Sequence, residues 1–197
     1  MISGAGLRAR IAQAAPLLVC AGALQAADAP EWTFARLMAE LAQVQTSHAR
    51  YSEVRRISML KQPLELSGTL SYSRPGRIEK IQILPFRETL RIDADKITVE
   101  RDGRTRTVAM RDSPLAAALV ETLRAILAGD AAGLERLYEV SVRGPRERWE
   151  LELRPREPEV TAIVNEINVG GSGSRVSRIE IRVPGGDRSV MTILERP

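Results

Sequence analysis

Between Glu31 and Gln45 the apolar side chains Phe34, Leu37, Met38, Leu41 and Val44 recur three and four residues apart, which lays one buried stripe along a helix. Pro30 suits the first turn of that helix, where its missing N–H costs nothing. After His48 the period changes to two. In the stretch from Pro63 to Ser73, Leu64, Leu66, Leu70 and Tyr72 fall on one face, and Glu65, Ser67, Thr69, Ser71 and Ser73 on the other, as in a strand buried on one side. The alternation returns at Leu90 and Ile92, at Ile97 and Val99, at Trp149, Leu151 and Leu153, and from Val176 to Val183. Turn residues punctuate these runs at Pro75-Gly76, Asp102-Gly103, Gly144-Pro145, Gly170-Gly171 and Pro184-Gly185-Gly186-Asp187. Strand length and turn spacing predict an antiparallel meander of about ten short strands, wide enough to curl.

One helical stretch interrupts the meander, from Pro114 to about Leu127, followed by a shorter piece from Asp130 to Leu137. Leu115, Leu119, Val120, Leu123, Ile126 and Leu127 form an apolar stripe wider than a surface helix needs. Ser113 is placed to cap it, Pro114 fits its first position, and Gly129 with Asp130 marks the break. The fold class is therefore α+β, one large curled sheet accompanied by helices. Those helices either fill the concavity as core or cover it as a lid, and periodicity does not separate the two. Gly170 to Ser174 is the one stretch that reads as loosely ordered.

The N-terminus places this domain outside the cytoplasm. Arg8 and Arg10, with no acidic neighbour, precede the apolar run Ile11 to Leu24 and then the small residues Ala21, Ala23, Ala26 and Ala27, the order of a secretory signal. Cleavage after Ala23 is one option; cleavage after Ala26 leaves a natural mature start near Asp28 and is preferred. Residues 1–26 are thus expected to be a signal peptide and 27–197 one domain exported to the periplasm. Val19 stands where a lipoprotein signal needs a small residue, so Cys20 goes with the discarded segment. The mature chain then has no cysteine for a disulfide or a thiolate metal site.

Removing Arg8 and Arg10 also lowers the formal charge from +4 to +2, which erases most of the basic excess that would point to nucleic acid. The arginine clusters within 101–106 and 143–148 contain acids and lack interleaved aromatics, which fits charged sheet edges better than a nucleic-acid platform.

Candidate catalytic chemistry is sparse. The single histidine, His48, has no serine or cysteine elbow nearby. Glu150 and Glu152 alternate with Trp149 and Leu151, as on a solvated strand face, and Gly170, Gly171 and Gly173 have strands on both sides where a phosphate loop needs a helix. No catalytic group, metal or cofactor is expected, and the chain reads as a binding protein rather than an enzyme.

Two segments carry a family resemblance. Ala49, Tyr51 and Glu53 follow a pattern of small residue, aromatic and Gln or Glu two further on, and the run Gly68-Thr69-Leu70-Ser71-Tyr72-Ser73-Arg74-Pro75-Gly76-Arg77 follows Gly-x-Leu-x-(aromatic or apolar)-x-Arg-Pro-x-(Arg or apolar). In these the chain resembles the LolA family of periplasmic lipoprotein carriers, and the likeness extends more thinly through the Ser113-Pro114 helix to the last hairpins. The resemblance implies a strongly curved, incomplete antiparallel β-barrel whose helices form a lid over an apolar cavity for acyl chains.

By position, Arg74 matches the family arginine that bonds the lid backbone and latches the empty cavity shut. The cavity wall implied is Leu64, Leu66, Leu70, Tyr72, Leu90, Ile92, Ile97 and Val99, closed over by Leu119, Leu123 and Ile126, although an ordinary filled core would use the same side chains. The partners implied are an acylated lipoprotein or another amphiphile, an inner-membrane exporter and an outer-membrane acceptor, with a monomeric carrier. The alternative is a lipid-sensing or protein-interaction module of the same fold. The chain departs from the family in its aromatic content of 4%, in lacking an aromatic-rich hairpin after Pro85 and Phe86, and in showing no evident further C-terminal strand. These departures bear on the cargo more than on the fold.

Overall fold

The computed structural model describes residues 32–112 and 114–194, without the side chains of 114–116, so the signal segment, the proposed cap Ser113 and the Leu115 side chain lie outside it. The first helix is α1 (Phe34–Leu41), followed by β1 (Thr46–Arg56), β2 (Leu64–Ser73), β3 (Arg77–Leu84), β4 (Glu88–Asp93), β5 (Lys96–Arg101) and β6 (Arg104–Ala109). Two helices come next, α2 (Pro114–Ala128) and α3 (Ala131–Leu137). The chain then forms β7 (Tyr138–Arg143), β8 (Trp149–Pro155), the one-turn α4 (Pro158–Thr161), β9 (Glu166–Ser172), β10 (Arg175–Arg182) and β11 (Arg188–Leu194).

Among the described residues all eleven strands join one antiparallel sheet in the order β6-β5-β4-β3-β2-β1-β11-β10-β9-β8-β7. The sheet is not closed, and the α+β expectation holds. It differs from a single meander in one respect. Two meanders, β1 to β6 and β11 to β7, meet at a central seam where β1 pairs with β11 from Arg50↔Leu194 to Arg56↔Arg188. Local alternation reveals strands and turns, whereas a pairing between residues so far apart in sequence leaves no local mark. β11 is also the last strand among the described residues, and the sequence did not single it out.

The helix α1 is shorter than its apolar spacing suggests. Thr33 accepts the Arg36 N–H through its side chain at 3.4 Å, and Leu37, Met38 and Leu41 are buried. Val44 lies beyond the helix and packs on the sheet instead.

The core has two parts, and α2 belongs to both. Leu119, Ala125 and Ile126 pack with Leu37, Leu134, Tyr138, Trp149, Leu151 and Val169, between α1, α3 and the β7 to β9 half of the sheet. Ala117, Val120, Leu123 and Leu127 pack with Tyr72, Ile78, Ile92 and Ile97 on the β2 to β5 half. A helix lodged between two halves of one sheet needs an apolar surface on two sides, which accounts for the wide stripe. Between these surfaces Thr122 shares a 2.6 Å hydrogen bond with the Tyr138 hydroxyl.

Gly170-Gly171 is strand rather than turn, which corrects the expectation of a loose segment there. Trp149 is fully buried, its indole N–H donates to the Gly173 carbonyl at 2.9 Å, and its ring lies on Gly171, where a Cβ would collide with it. The glycine makes room for the tryptophan, and the turn itself is at Gly173-Ser174.

Candidate functional site

Directly opposed residues of an antiparallel sheet share a face, so the register sorts the inner face, on which α2 packs, into rows across β1 to β5. The row nearest Arg74 is Ser47, Tyr72, Ile78, Ile92 and Ile97, and the next is Ala49, Leu70, Lys80, Leu90 and Val99. The third is Tyr51, Gly68, Gln82, Glu88 and Arg101, and beyond it Glu53 opposes Leu66 and Arg55 opposes Leu64. All eight strand residues of the expected wall therefore lie on the inner face. Tyr72, Ile92 and Ile97, with the half-buried Leu90 and Val99, pack beneath α2, while Leu64, Leu66 and Leu70 fall outside both apolar clusters. Of the three expected lid residues only Leu123 packs against this wall. Leu119 and Ile126 point into the other half of the core, and Val120 and Leu127 take their place.

Arg74, the first residue after β2, reaches two helix exits. Its Nε donates to the Val44 carbonyl at 3.1 Å, and its Nη2 donates to the carbonyls of Ala42 and, at 3.0 Å, Ala128. The Ala128 carbonyl ends α2 and the Ala42 carbonyl lies just past α1, so one cation satisfies acceptors that helix termini leave open and sits where the helix dipoles favour positive charge. Arg124 adds a tie from the helix side, donating through Nε to the Gly76 carbonyl at 3.1 Å and through Nη2 to the Ala94 carbonyl at 2.6 Å. A cleft lined partly by Arg74, Arg77, Asp93 and Arg124 opens beside these ties.

Replacing Arg74 with leucine should cost about 2 kcal/mol, the scale of hydrogen bonds to a charged donor. Amide exchange would then quicken at the ends of α1 and α2 while the strands keep their protection; unchanged exchange at 128–130 would show that Arg74 does not hold the helix.

Farther along the inner face lies a buried polar group that the sequence reading missed. The Glu53 side chain is 3% exposed and accepts from Arg55 Nε at 2.5 Å, Lys80 Nζ at 2.5 Å and Ser189 Oγ at 2.7 Å. Burial alone would raise its pKa, but the Arg55 hydrogen bond and the charge of Lys80 outweigh burial and bring it to about 2. Burial lowers the pKa of Lys80 despite the opposing pull of Glu53. The Lys80 ammonium sits 4.7 Å from the centre of the Tyr51 ring, and the Tyr51 hydroxyl is buried with no hydrogen-bond partner among the described residues. Burial, then the charge of Glu53, raises the Tyr51 pKa to about 12. Nearby, Gln82 donates to the Phe86 carbonyl at 3.1 Å, and the Arg101 guanidinium stacks 3.7 Å from the Phe86 ring centre.

The remaining sequence candidates sit apart. His48 Nδ1 meets Ser71 Oγ at 2.7 Å on the exposed outer face. Glu152 pairs with Arg143 and Arg154, also on the outer face. Glu180 is buried there by Arg178, Arg182 and Arg188; burial raises its pKa, but the hydrogen bonds from the arginines outweigh that and hold it below the ordinary carboxylate range.

The inner face of the open sheet thus carries an apolar patch with a helix fastened over it by side-chain ties to backbone carbonyls. Residues 21–195 match the family model for the outer membrane lipoprotein carrier protein LolA-like family, and the chain belongs to that family. No curated protein sequence matches it. Among solved structures, a LolA superfamily protein from Nitrosomonas europaea is similar over 83% of this chain and 92% of its own, at 9% identity and a TM-score of 0.42. A putative outer membrane lipoprotein-sorting protein domain from Vibrio parahaemolyticus is similar over 81% and 88%, at 8% identity and a TM-score of 0.44. The MucA/MucB complex of Pseudomonas aeruginosa is matched over 81% of this chain and 53% of that one, at 15% identity and a TM-score of 0.36.

Proposed function

We propose that residues 1–26 direct export and that the remainder is a periplasmic carrier. It takes the acyl part of a lipoprotein or another amphiphile beneath α2 and hands it from an inner-membrane donor to an outer-membrane acceptor. The observation that supports this most is the way α2 is held: Val120, Leu123 and Leu127 rest on Tyr72, Ile78, Ile92 and Ile97, and Arg74 and Arg124 fasten it through a few hydrogen bonds to carbonyls. Ties of roughly 1 to 3 kcal/mol each hold a lid that ligand can displace, because burying an acyl chain returns about 0.8 kcal/mol per methylene. No step in this role calls for a nucleophile, a metal or a cofactor.

Native mass spectrometry of protein purified gently from its own periplasm, followed by lipid extraction, tests the reading. A stoichiometric acylated molecule should appear with the wild type and be absent from Leu70→Asp and Leu123→Asp variants whose far-UV circular dichroism is native. A clean unliganded mass, with no fluorescent fatty-acid probe bound either, would instead favour an interaction module with a filled core.

A further inference from the structure

The inner face changes polarity along the strand direction in the way an amphiphile does along its length. The row Tyr72, Ile78, Ile92 and Ile97 is apolar, the next carries a single cation, Lys80, between Leu70 and Leu90, and the third brings in Tyr51, Gln82, Glu88 and Arg101. Beyond it lie Glu53 and Arg55. Along that axis the Lys80 side chain is 18% exposed, Glu53 3% and Arg55 42%, so the polar zone is covered around Glu53 and meets solvent at Arg55, at the end of the sheet away from Arg74.

Around Lys80 and Arg55 the hydrogen-bonding capacity left is that of donors, while the Glu88 carboxylate and the Gln82 side-chain carbonyl in the neighbouring row are acceptors with no hydrogen bond among the described residues. Glu53 is already met by Arg55, Lys80 and Ser189. Lys80 keeps two further N–H groups and Arg55 its terminal nitrogens, each having one bond, to Glu53, and the buried Tyr51 hydroxyl has none. The Tyr51 hydroxyl without a partner and the largely buried Lys80 ammonium beside Glu53 are each costly to desolvate, and a ligand that accepts from both offsets that cost.

From this arrangement we infer that the zone around Lys80, Arg55 and Tyr51 binds an anionic, acceptor-only head group, a phosphate or a carboxylate, on the amphiphile whose chain lies beneath α2. This rests on the carrier reading. In the complex Glu53 is a positioning residue, orienting Lys80 and Arg55, and the ligand anion accepts from Lys80, Arg55 and the Tyr51 hydroxyl in charge-assisted hydrogen bonds.

The test is isothermal calorimetry with three twelve-carbon probes below their micelle concentrations: dodecyl phosphate, dodecanoate and the uncharged dodecyl maltoside. The wild-type protein should bind one or both anions at least tenfold more tightly than the maltoside, and whichever anion leads names the head group. Tyr51→Phe, which removes one hydroxyl and no packing, should weaken only the anions, severalfold. Lys80→Gln should abolish the preference, and Lys80→Arg should restore it. Equal affinity for all three probes, or a preference that survives in both Tyr51→Phe and Lys80→Gln, overturns the head-group site and leaves the carrier standing. Failure of every probe to bind overturns both.

Discussion

Replacing Glu53 with glutamine should cost several kcal/mol at pH 7 and much less at pH 2.5. The carboxylate titrates at about 2 in the folded protein against an ordinary 4.5, a gap worth about 3 kcal/mol of stability. Because the folded pKa is the lower one, that stability is fully present above about pH 4.5 and drains away as the pH falls toward 2. At neutral pH the variant suffers more than the lost interaction, since it strands the Lys80 ammonium in a largely buried place, and breaking one side of such a pair costs about 3 to 5 kcal/mol. Urea unfolding of wild type and Glu53→Gln at pH 7, 4 and 2.5 measures both effects. A stability difference that stays constant across that range would mean Glu53 is not the buried anion described above.

Gly68→Ala should be as damaging, for a reason with no electrostatics in it. Gly68 lies where the β2–β3 register shifts, and a Cβ there would fall on the backbone carbonyl oxygen of Ile81. Backbone gives way only if the ladder between the strands opens, so the expected loss is about 3 kcal/mol or more, and with it a large drop in melting temperature. Gly170→Ala is the matched control: its Cβ would meet the Trp149 carbonyl oxygen at 3.7 Å and the Arg178 Cβ at 3.8 Å, ordinary contacts, and should cost little. Equal melting temperatures for the two variants would show that β2 and β3 are not pressed together at this point.

The sequence carries the local architecture well and the polar interior badly. The two-residue period of β2 puts Leu64, Leu66, Leu70 and Tyr72 on one side, and the register keeps them there. The apolar stripe of α2 is wider than a surface helix needs, and the structure accounts for the width by burying the helix on two sides. Alternation fails in β3, where Ile78 shares the inner face with Lys80 and Gln82 while Ile81 and Ile83 face outward, so apolar residues occupy both parities. A reading that sends every charge to solvent cannot place Lys80 or Glu53 inside. The available signal was parity: Glu53 lies two residues from Tyr51 and four from Ala49, both buried. Arg74 was legible only through the Gly68 to Arg77 pattern, because its partners are backbone carbonyls of residues 42, 44 and 128, and a carbonyl looks the same in every residue.

The β1–β11 seam sets the order in which the molecule can be made. Residues 50–56 leave the ribosome long before their partners, 188–194. Until then β1 and β10 each show an unpaired ladder, in the middle of what will be the sheet, and such ladders invite edge-to-edge association between nascent copies. The first meander can zip on its own, but contacts of such long sequence separation are slow to form. A chain of this topology gains from being kept extended by a chaperone until the seven residues of β11 are free. Clipping those residues would give not a slightly smaller protein but one split along its midline.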